Sequence, residues 1–226
     1  MKRFFTLLLT AVCVAISCTE PDSTVYGCTD YCSVQSSGLL VSDFGYRYNV
    51  LEQPDTDWKN EDRLYINFDV LEGVSVSEYD IRINSYSSFV MKDVAPERTG
   101  EDPVYCNVGV VTGISAPMLN ISCYYVRKKG STLPHVIDLV YDSSKSIGEE
   151  MYFELVHNAY GDTYAEGVDL SSCESVEYRV SFPIRSYLPE GVSSISVTVG
   201  YDWYMTDGTT TLPQTMHYTT SATVTM

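Results

Sequence analysis

Alternation of apolar and polar positions recurs along the chain, while the three-to-four-residue spacing of an amphipathic helix is scarce. In "RLYINFDV", Leu64, Ile66, Phe68 and Val70 fall on one side and Arg63, Tyr65, Asn67 and Asp69 on the other. "YDIRIN" repeats the pattern, with Tyr79, Ile81 and Ile83 set against Asp80, Arg82 and Asn84. Between them "LEGVSVSE" breaks the alternation at Gly73, so the two runs predict neighbouring half-buried strands. "VEYRVSF" sets Val176, Tyr178, Val180 and Phe182 against Glu177, Arg179 and Ser181. "SISVTVGY" alternates Ile195, Val197, Val199 and Tyr201 with small polar residues. "LPEG" from Leu188 separates these two, and Asp207-Gly208 is a type I′ hairpin signal before a last strand, "HYTTSATVTM". "NVGVVTG", "MLNISCYYV", "HVIDLVY" and "MYFELVHN" are further strand candidates. Many short strands with turn chemistry between them predict an all-β fold, a sandwich or a barrel, rather than α/β layers.

Two stretches carry no alternation. "KDVAPERTGEDPV", Lys92 to Val104, gathers charge, Pro and Gly, and predicts a boundary between a domain over 38–96 and a larger one over 103–226. The N-terminus is the other. Lys2 and Arg3 precede an apolar run from Phe4 to Ile16, the layout of a secretory signal. That run falls short of the ~20 residues needed to cross a bilayer. Ala15, Ile16 and Ser17 before Cys18 resemble the lipobox of bacterial lipoproteins. On that reading residues 1–17 are removed and Cys18 becomes the acylated first residue; the plainer alternative is an ordinary secretory signal with Cys18 as a spare thiol. Two or more acyl chains hold a protein stably on a membrane. Residues 18–37, rich in Ser, Thr, Asp and Gly, read as a tether. Within it Glu20 and Asp22 resemble surface-export signals of Bacteroidetes lipoproteins, and Asp22-Ser23-Thr24 resembles the O-glycosylation sequon of that phylum, with Ser23 as acceptor.

Composition narrows the partners. The net charge is −16, and more negative once Lys2 and Arg3 leave, which opposes broad electrostatic binding of nucleic acid or anionic lipid. "VRKKG" at Val126 to Gly130 is a local basic patch, or simply a solvated turn. The 19 tyrosines suit strands and binding surfaces equally. Of the 7 cysteines, Cys28, Cys32, Cys106, Cys123 and Cys173 would remain in an oxidising compartment, where disulfides persist. Cys106 and Cys123 fall on consecutive candidate strands and form a candidate bridge. Cys28 and Cys32 have no second Cys or His cluster nearby in sequence, so no zinc site is read.

Motifs for chemistry are sparse. His157, Tyr160 and Asp162 could serve acid–base catalysis, but Asn158, Gly161 and Asp162 are also what a tight turn requires. His135 and His217 lie on other strands, and Asp138 interrupts an apolar run where a buried carboxylate would need a partner. There is no G-x-S-x-G elbow, P-loop or dinucleotide fingerprint. Hence no catalytic, cofactor-binding or metal residues are assigned and no cofactor is expected.

From Leu133 to Tyr187 the chain resembles the NigD-like lipoproteins of the Bacteroidetes, in the strand His135 to Val140 and in the strand and turn Phe153 to Asp162. The resemblance implies a lipoprotein signal, a small N-terminal OB-like β-barrel and a C-terminal antiparallel β-sandwich. Cys106 and Cys123 depart from the family pattern. An oligosaccharide or protein ligand suits an acidic OB-like barrel better than an oligonucleotide. Taken together, these features predict a non-enzymatic, lipid-anchored envelope protein at the outer membrane or cell surface, binding a protein or glycan and no nucleic acid. The alternatives are an accessory or immunity-type protein of a bacteriocin system, suggested by the family's name, and a carboxylate/His hydrolase.

Overall fold

The computed structural model describes residues 27–35, 38–54, 58–104, 109–112, 117–162, 170–191, 194–205 and 214–225. Residues 1–17, Cys18, Ser23, Cys106 and the Asp207-Gly208 turn lie outside them.

Twelve described strands build two β-domains in series. The first contains β1 (Cys28–Val34), β2 (Leu40–Ser42), β3 (Arg47–Glu52), β4 (Arg63–Gly73) and β5 (Glu78–Met91). β1 pairs with both β2 and β4, β2 with β3, and β5 with both β4 and β3, the last in parallel. The circuit β1-β2-β3-β5-β4 closes on itself, giving the five-stranded OB-like barrel. Closure leaves no free edge among these strands. Its core contains Leu40, Tyr48, Leu64, Ile66, Phe68, Ile81 and Ile83, as the alternation of β4 and β5 requires.

β1 lies inside the 18–37 stretch read as tether. Its inward residues are Asp30, Cys32 and Val34, and a carboxylate in the first inward position hid the apolar alternation. Asp30 is satisfied there: its Oδ2 accepts from Ser42 Oγ at 2.5 Å and Tyr48 Oη at 2.7 Å, and Tyr31 N donates to Oδ1 at 2.7 Å.

The second domain is a sandwich. One sheet joins the end of β5 to β10 (Cys173–Pro183), β7 (Met118–Lys128) and β6 (Gly109–Thr112); the other runs β12 (Gln214–Thr225), β11 (Ser194–Met205), β9 (Glu150–Asn158), β8 (Val136–Tyr141). The ladders are antiparallel except β5–β10 and β9–β11, which are parallel. Leu119, Ile121, Leu139, Phe153, Val180, Phe182, Val197 and Val199 are among the residues that fill the space between the sheets.

β5 belongs to both domains: Glu78 to Arg82 pairs with β3 in the barrel, while Val90 and Met91 pair with Val180 and Ser181 of β10. The stretch after it is not an open linker. Ala95 N donates to Leu139 O at 2.7 Å, Asp102 N to His157 O at 2.9 Å and Val104 N to Asp202 O at 2.8 Å, and Val94 and Val104 enter the sandwich core. Residues 92–104 thus form a strap along the sandwich, and a Cβ on Gly100 would collide with the His157 backbone. The Pro and Gly that read as a boundary allow that close approach.

Candidate functional site

Two buried polar clusters stand out, one in the sandwich and one between the domains. The first brings together His135, at the entry to β8, and His157, near the end of β9. The β8–β9 ladder sets Ile137 opposite His157, so the residue just ahead of β8 reaches the same level. His135 Nδ1 lies 3.0 Å from His157 Nε2, His157 Nδ1 lies 3.1 Å from Pro103 O, and His135 Nε2 lies 3.4 Å from Asp162 Oδ2. Asp162 is delivered by a tight turn in which Asp162 N donates to Ala159 O at 2.9 Å and both Tyr160 and Gly161 take positive φ. Its Oδ1 accepts Lys128 N at 3.1 Å. Tyr125 stacks on the His135 ring, with centroids 4.2 Å apart and planes 15° from parallel.

Between the two rings one nitrogen donates and the other accepts, and Pro103 O can only accept, so His157 Nδ1 carries a proton. Burial pushes the His157 imidazole below the ordinary histidine range. Burial would raise Asp162, but Ser131, the Lys128 N–H and His135 donate to it and hold it below the usual carboxylate value. Burial thus favours the neutral His157 imidazole, while its donors favour the ionised Asp162 carboxylate.

The residue types are those of acid–base chemistry, but the setting encloses them. His157 is 2% exposed, and the side chains of His135 and Asp162 are 2% and 1% exposed. Sequence spacing left the histidines on separate strands, and the fold joins two of them. The third, His217, sits opposite Asp202 in the β11–β12 ladder. Asp138 is also buried, and finds its partners in Lys92 and in Thr99 Oγ1 at 2.9 Å. No group of three His, Cys, Asp or Glu side chains among the described residues is arranged to hold a metal ion.

The second cluster was not legible from sequence. Arg63, assigned by alternation to the outward face of β4, is 1% exposed. Its guanidinium donates to Asp43, to Asn120 Oδ1 at 2.9 Å, to Ser33 Oγ at 3.1 Å and to Ser181 Oγ at 3.4 Å. Asn120 Nδ2 donates to Asp43 Oδ2 at 2.8 Å, and Ser181 Oγ to Asn120 Oδ1 at 2.7 Å. Arg63, Ser33 and Asp43 belong to the barrel; Asn120 and Ser181 belong to the sandwich. Burial pushes the Asp43 carboxyl up, against the opposing pull of Arg63 and Asn120. Ser181 likewise alternates with the outward set yet is fully buried. In both cases the outward face is covered by the other domain.

Among the described residues, clefts open to solvent in at least two places. One, of about 310 Å³, lies on the outer face of β8 and β9 and is lined by Arg98, Asp142, Lys145, Glu154 and Val156 among others. Lys145 Nζ donates to Glu154 Oε1 at 2.6 Å, which raises the ammonium to about 12. The other, about 350 Å³, is lined by Gly38, Leu39, Arg47, Asn49 and Val50 on the β2–β3 face of the barrel. The "VRKKG" patch is engaged within the fold: Arg127 pairs with Glu174 at 2.7 Å, and Lys129 Nζ donates to Ser171 O at 2.7 Å.

Residues 87–208 match the model of the NigD-like C-terminal beta sandwich domain, and the chain belongs to the NigD-like family. The match begins inside β5, where that strand passes from barrel to sandwich. Among solved structures, a NigD-like immunity protein from Bacteroides caccae ATCC 43185 is similar at 17% identity, covering 87% of this chain and 94% of that one, with a TM-score of 0.55. A candidate lipoprotein from Bacteroides fragilis NCTC 9343 is 14% identical over 85% and 96% of the two chains, TM-score 0.52. An uncharacterised protein from Parabacteroides merdae ATCC 43184 is 11% identical over 88% and 98%, TM-score 0.57. These likenesses extend over barrel and sandwich together. No curated protein matches the sequence.

Proposed function

We propose that the mature protein is an envelope lipoprotein, anchored through acyl groups on Cys18, whose two locked β-domains form a non-enzymatic module that binds a protein or glycan at the outer membrane or cell surface. The observation that carries this reading is the use made of the buried charge. The Arg63 cluster binds barrel to sandwich and the His135–His157 chain is enclosed, so what faces solvent is the shape and surface of a rigid pair. The cleft on the β2–β3 face supports a glycan, since OB barrels use that face for oligosaccharides as well as oligonucleotides, and the net charge of −16 disfavours the latter. Neither cleft is lined by His135, His157 or Asp162, which counts against the hydrolase alternative.

The test has two arms. Cys18→Ala should release the protein from membrane fractions, and continued membrane association of that variant would remove the lipid anchor. A glycan array and pull-downs from envelope extracts should find a partner for the folded mature chain; substrate turnover without any partner would reverse the reading. Ser23 is proposed as a glycan acceptor, checked by the mass of the N-terminal peptide. The Cys106–Cys123 bridge is proposed from the two residues' places on neighbouring stretches of the sequence. Closing that loop would stabilise the fold by about 3 kcal/mol, and non-reducing peptide mapping that recovers both thiols would reject it.

An immunity role is favoured by one observation, the similarity to the NigD-like immunity protein. Cells lacking the gene should then become sensitive to a toxin encoded beside it; unchanged sensitivity argues for the general binding module.

A further inference from the structure

The end of the barrel farthest from the sandwich exposes a group of apolar side chains among its charges. The β4–β5 hairpin projects there, with Val70 40%, Val74 54% and Val76 92% exposed. Two β-bulges flank β5 at almost the same level, one in β3 between Val50 and Glu52 and one in β4 between Val70 and Glu72. The extra residues are Leu51 and Leu71, 61% and 42% exposed. Bulges re-aim side chains, and here each turns a leucine into solvent. Exposed apolar clusters of this kind mark contact surfaces.

The strand register says what lies near that surface. β1 runs antiparallel to β4, with Cys28 opposite Phe68 and Ser33 opposite Arg63. Chain preceding Cys28 therefore enters the barrel from the hairpin side. Cys18 is ten residues before Cys28, a reach of at most about 36 Å. Gly73 is five residues beyond Phe68, about 17 Å along β4. A lipid on Cys18 would thus hold the membrane within reach of the hairpin tip. The sandwich leaves from the other end, through Arg63 at the start of β4 and Met91 at the end of β5.

We propose that Leu51, Val70, Leu71, Val74 and Val76 form a membrane-docking end that enters the headgroup region of the bilayer carrying the lipid anchor, and so points the sandwich away from it. This rests on the Cys18 anchor proposed above. The charges around the end choose the lipid. Arg82 pairs with Asp69 at 3.0 Å and Glu52 at 3.5 Å, and Asn49 donates to Glu78 and Asp80, while Glu72 adds a further carboxylate. Acidic groups outnumber basic ones, so the surface suits zwitterionic headgroups and is repelled by anionic ones.

The test uses the acylated mature protein in phosphatidylcholine vesicles whose acyl chains carry a quencher. Val76→Trp places a reporter at the tip, and Tyr160→Trp places one two residues before Asp162, whose Oδ1 accepts from Lys128 N, eight residues along β7 from Asn120 of the interdomain cluster. With parent fluorescence subtracted, docking to a depth of about 5–10 Å should quench the Val76→Trp reporter at least about twofold and leave the Tyr160→Trp reporter unquenched. Adding Val74→Asp or exchanging phosphatidylcholine for phosphatidylglycerol should weaken the quenching. If the protein sediments with vesicles while the tip reporter stays accessible to aqueous iodide, the docking surface is overturned and the anchor stands. If native Cys18 carries no acyl group, the anchor falls and the docking falls with it.

Discussion

The two buried clusters use similar materials for different ends. Around Arg63 the cation stays charged throughout the physiological range, its partners come from both domains, and its work is mechanical. Around His135 and His157 the polar groups are imidazoles and a carboxylate, all the partners belong to the sandwich and its strap, and the arrangement is favoured while His157 is neutral and Asp162 ionised. A permanent charge suits a joint whose strength should not depend on conditions. A titratable chain makes its own domain sensitive to pH.

The largest effect is expected at the joint. Arg63→Ala would leave Asp43 buried without its cation and should cost about 3–5 kcal/mol, splitting urea unfolding into separate barrel and sandwich transitions. A loss below about 1 kcal/mol would show that the cluster does not couple the domains. Asp162→Ala comes next: removing the acceptor of His135 and of the Lys128 N–H should cost about 1–3 kcal/mol, read in the Arg63→Ala background as a shift of the sandwich transition alone. A matching loss in the barrel would erase the distinction between the clusters.

The pH dependence sharpens the contrast. With its folded pKa below the ordinary 6.5, His157 is favourable to folding while neutral. Its unfolded form takes a proton first as pH drops, so stability is full above about 6.5 and declines below that, towards the lowered folded value. Asp162, with its folded pKa below 3.8, contributes above 3.8 and loses that contribution as pH falls through the folded value. His157→Phe should flatten the upper part of this acid slope, as read from unfolding midpoints across pH. An unchanged slope would place the proton elsewhere. Replacement at the exposed tip sets the lower bound: Val76→Ser should shift stability by no more than about 0.5 kcal/mol, and a larger loss would mean that the hairpin is part of the barrel's own support.

Much of the fold was legible because alternation reports geometry directly. Leu64, Ile66, Ile81, Val180, Phe182, Val197 and Val199 all sit inside as the pattern requires. β1 was missed since Asp30 occupies an inward position, made tolerable by Ser42 and Tyr48, which come from strands far from it in sequence. Val70 continues the inward register of β4 yet emerges at the barrel's end, where the wall has run out. The candidate site was half legible: His157 and Asp162 share one short stretch, but His135 joins them only through the β8–β9 pairing.

By itself, then, the sequence determined the strands from β4 onward, most of their inner faces and the resemblance to the family, because side-chain alternation and turn chemistry act over a few neighbouring residues. Tertiary structure alone decided that Arg63 and Ser181 are buried, that Leu51 and Leu71 are turned out, and that two histidines meet ring to ring. The reason is physical: a strand's local pattern says which residues share a face, whereas the cover on that face comes from chain tens to more than a hundred residues away, as Arg63 and Ser181 do for one another.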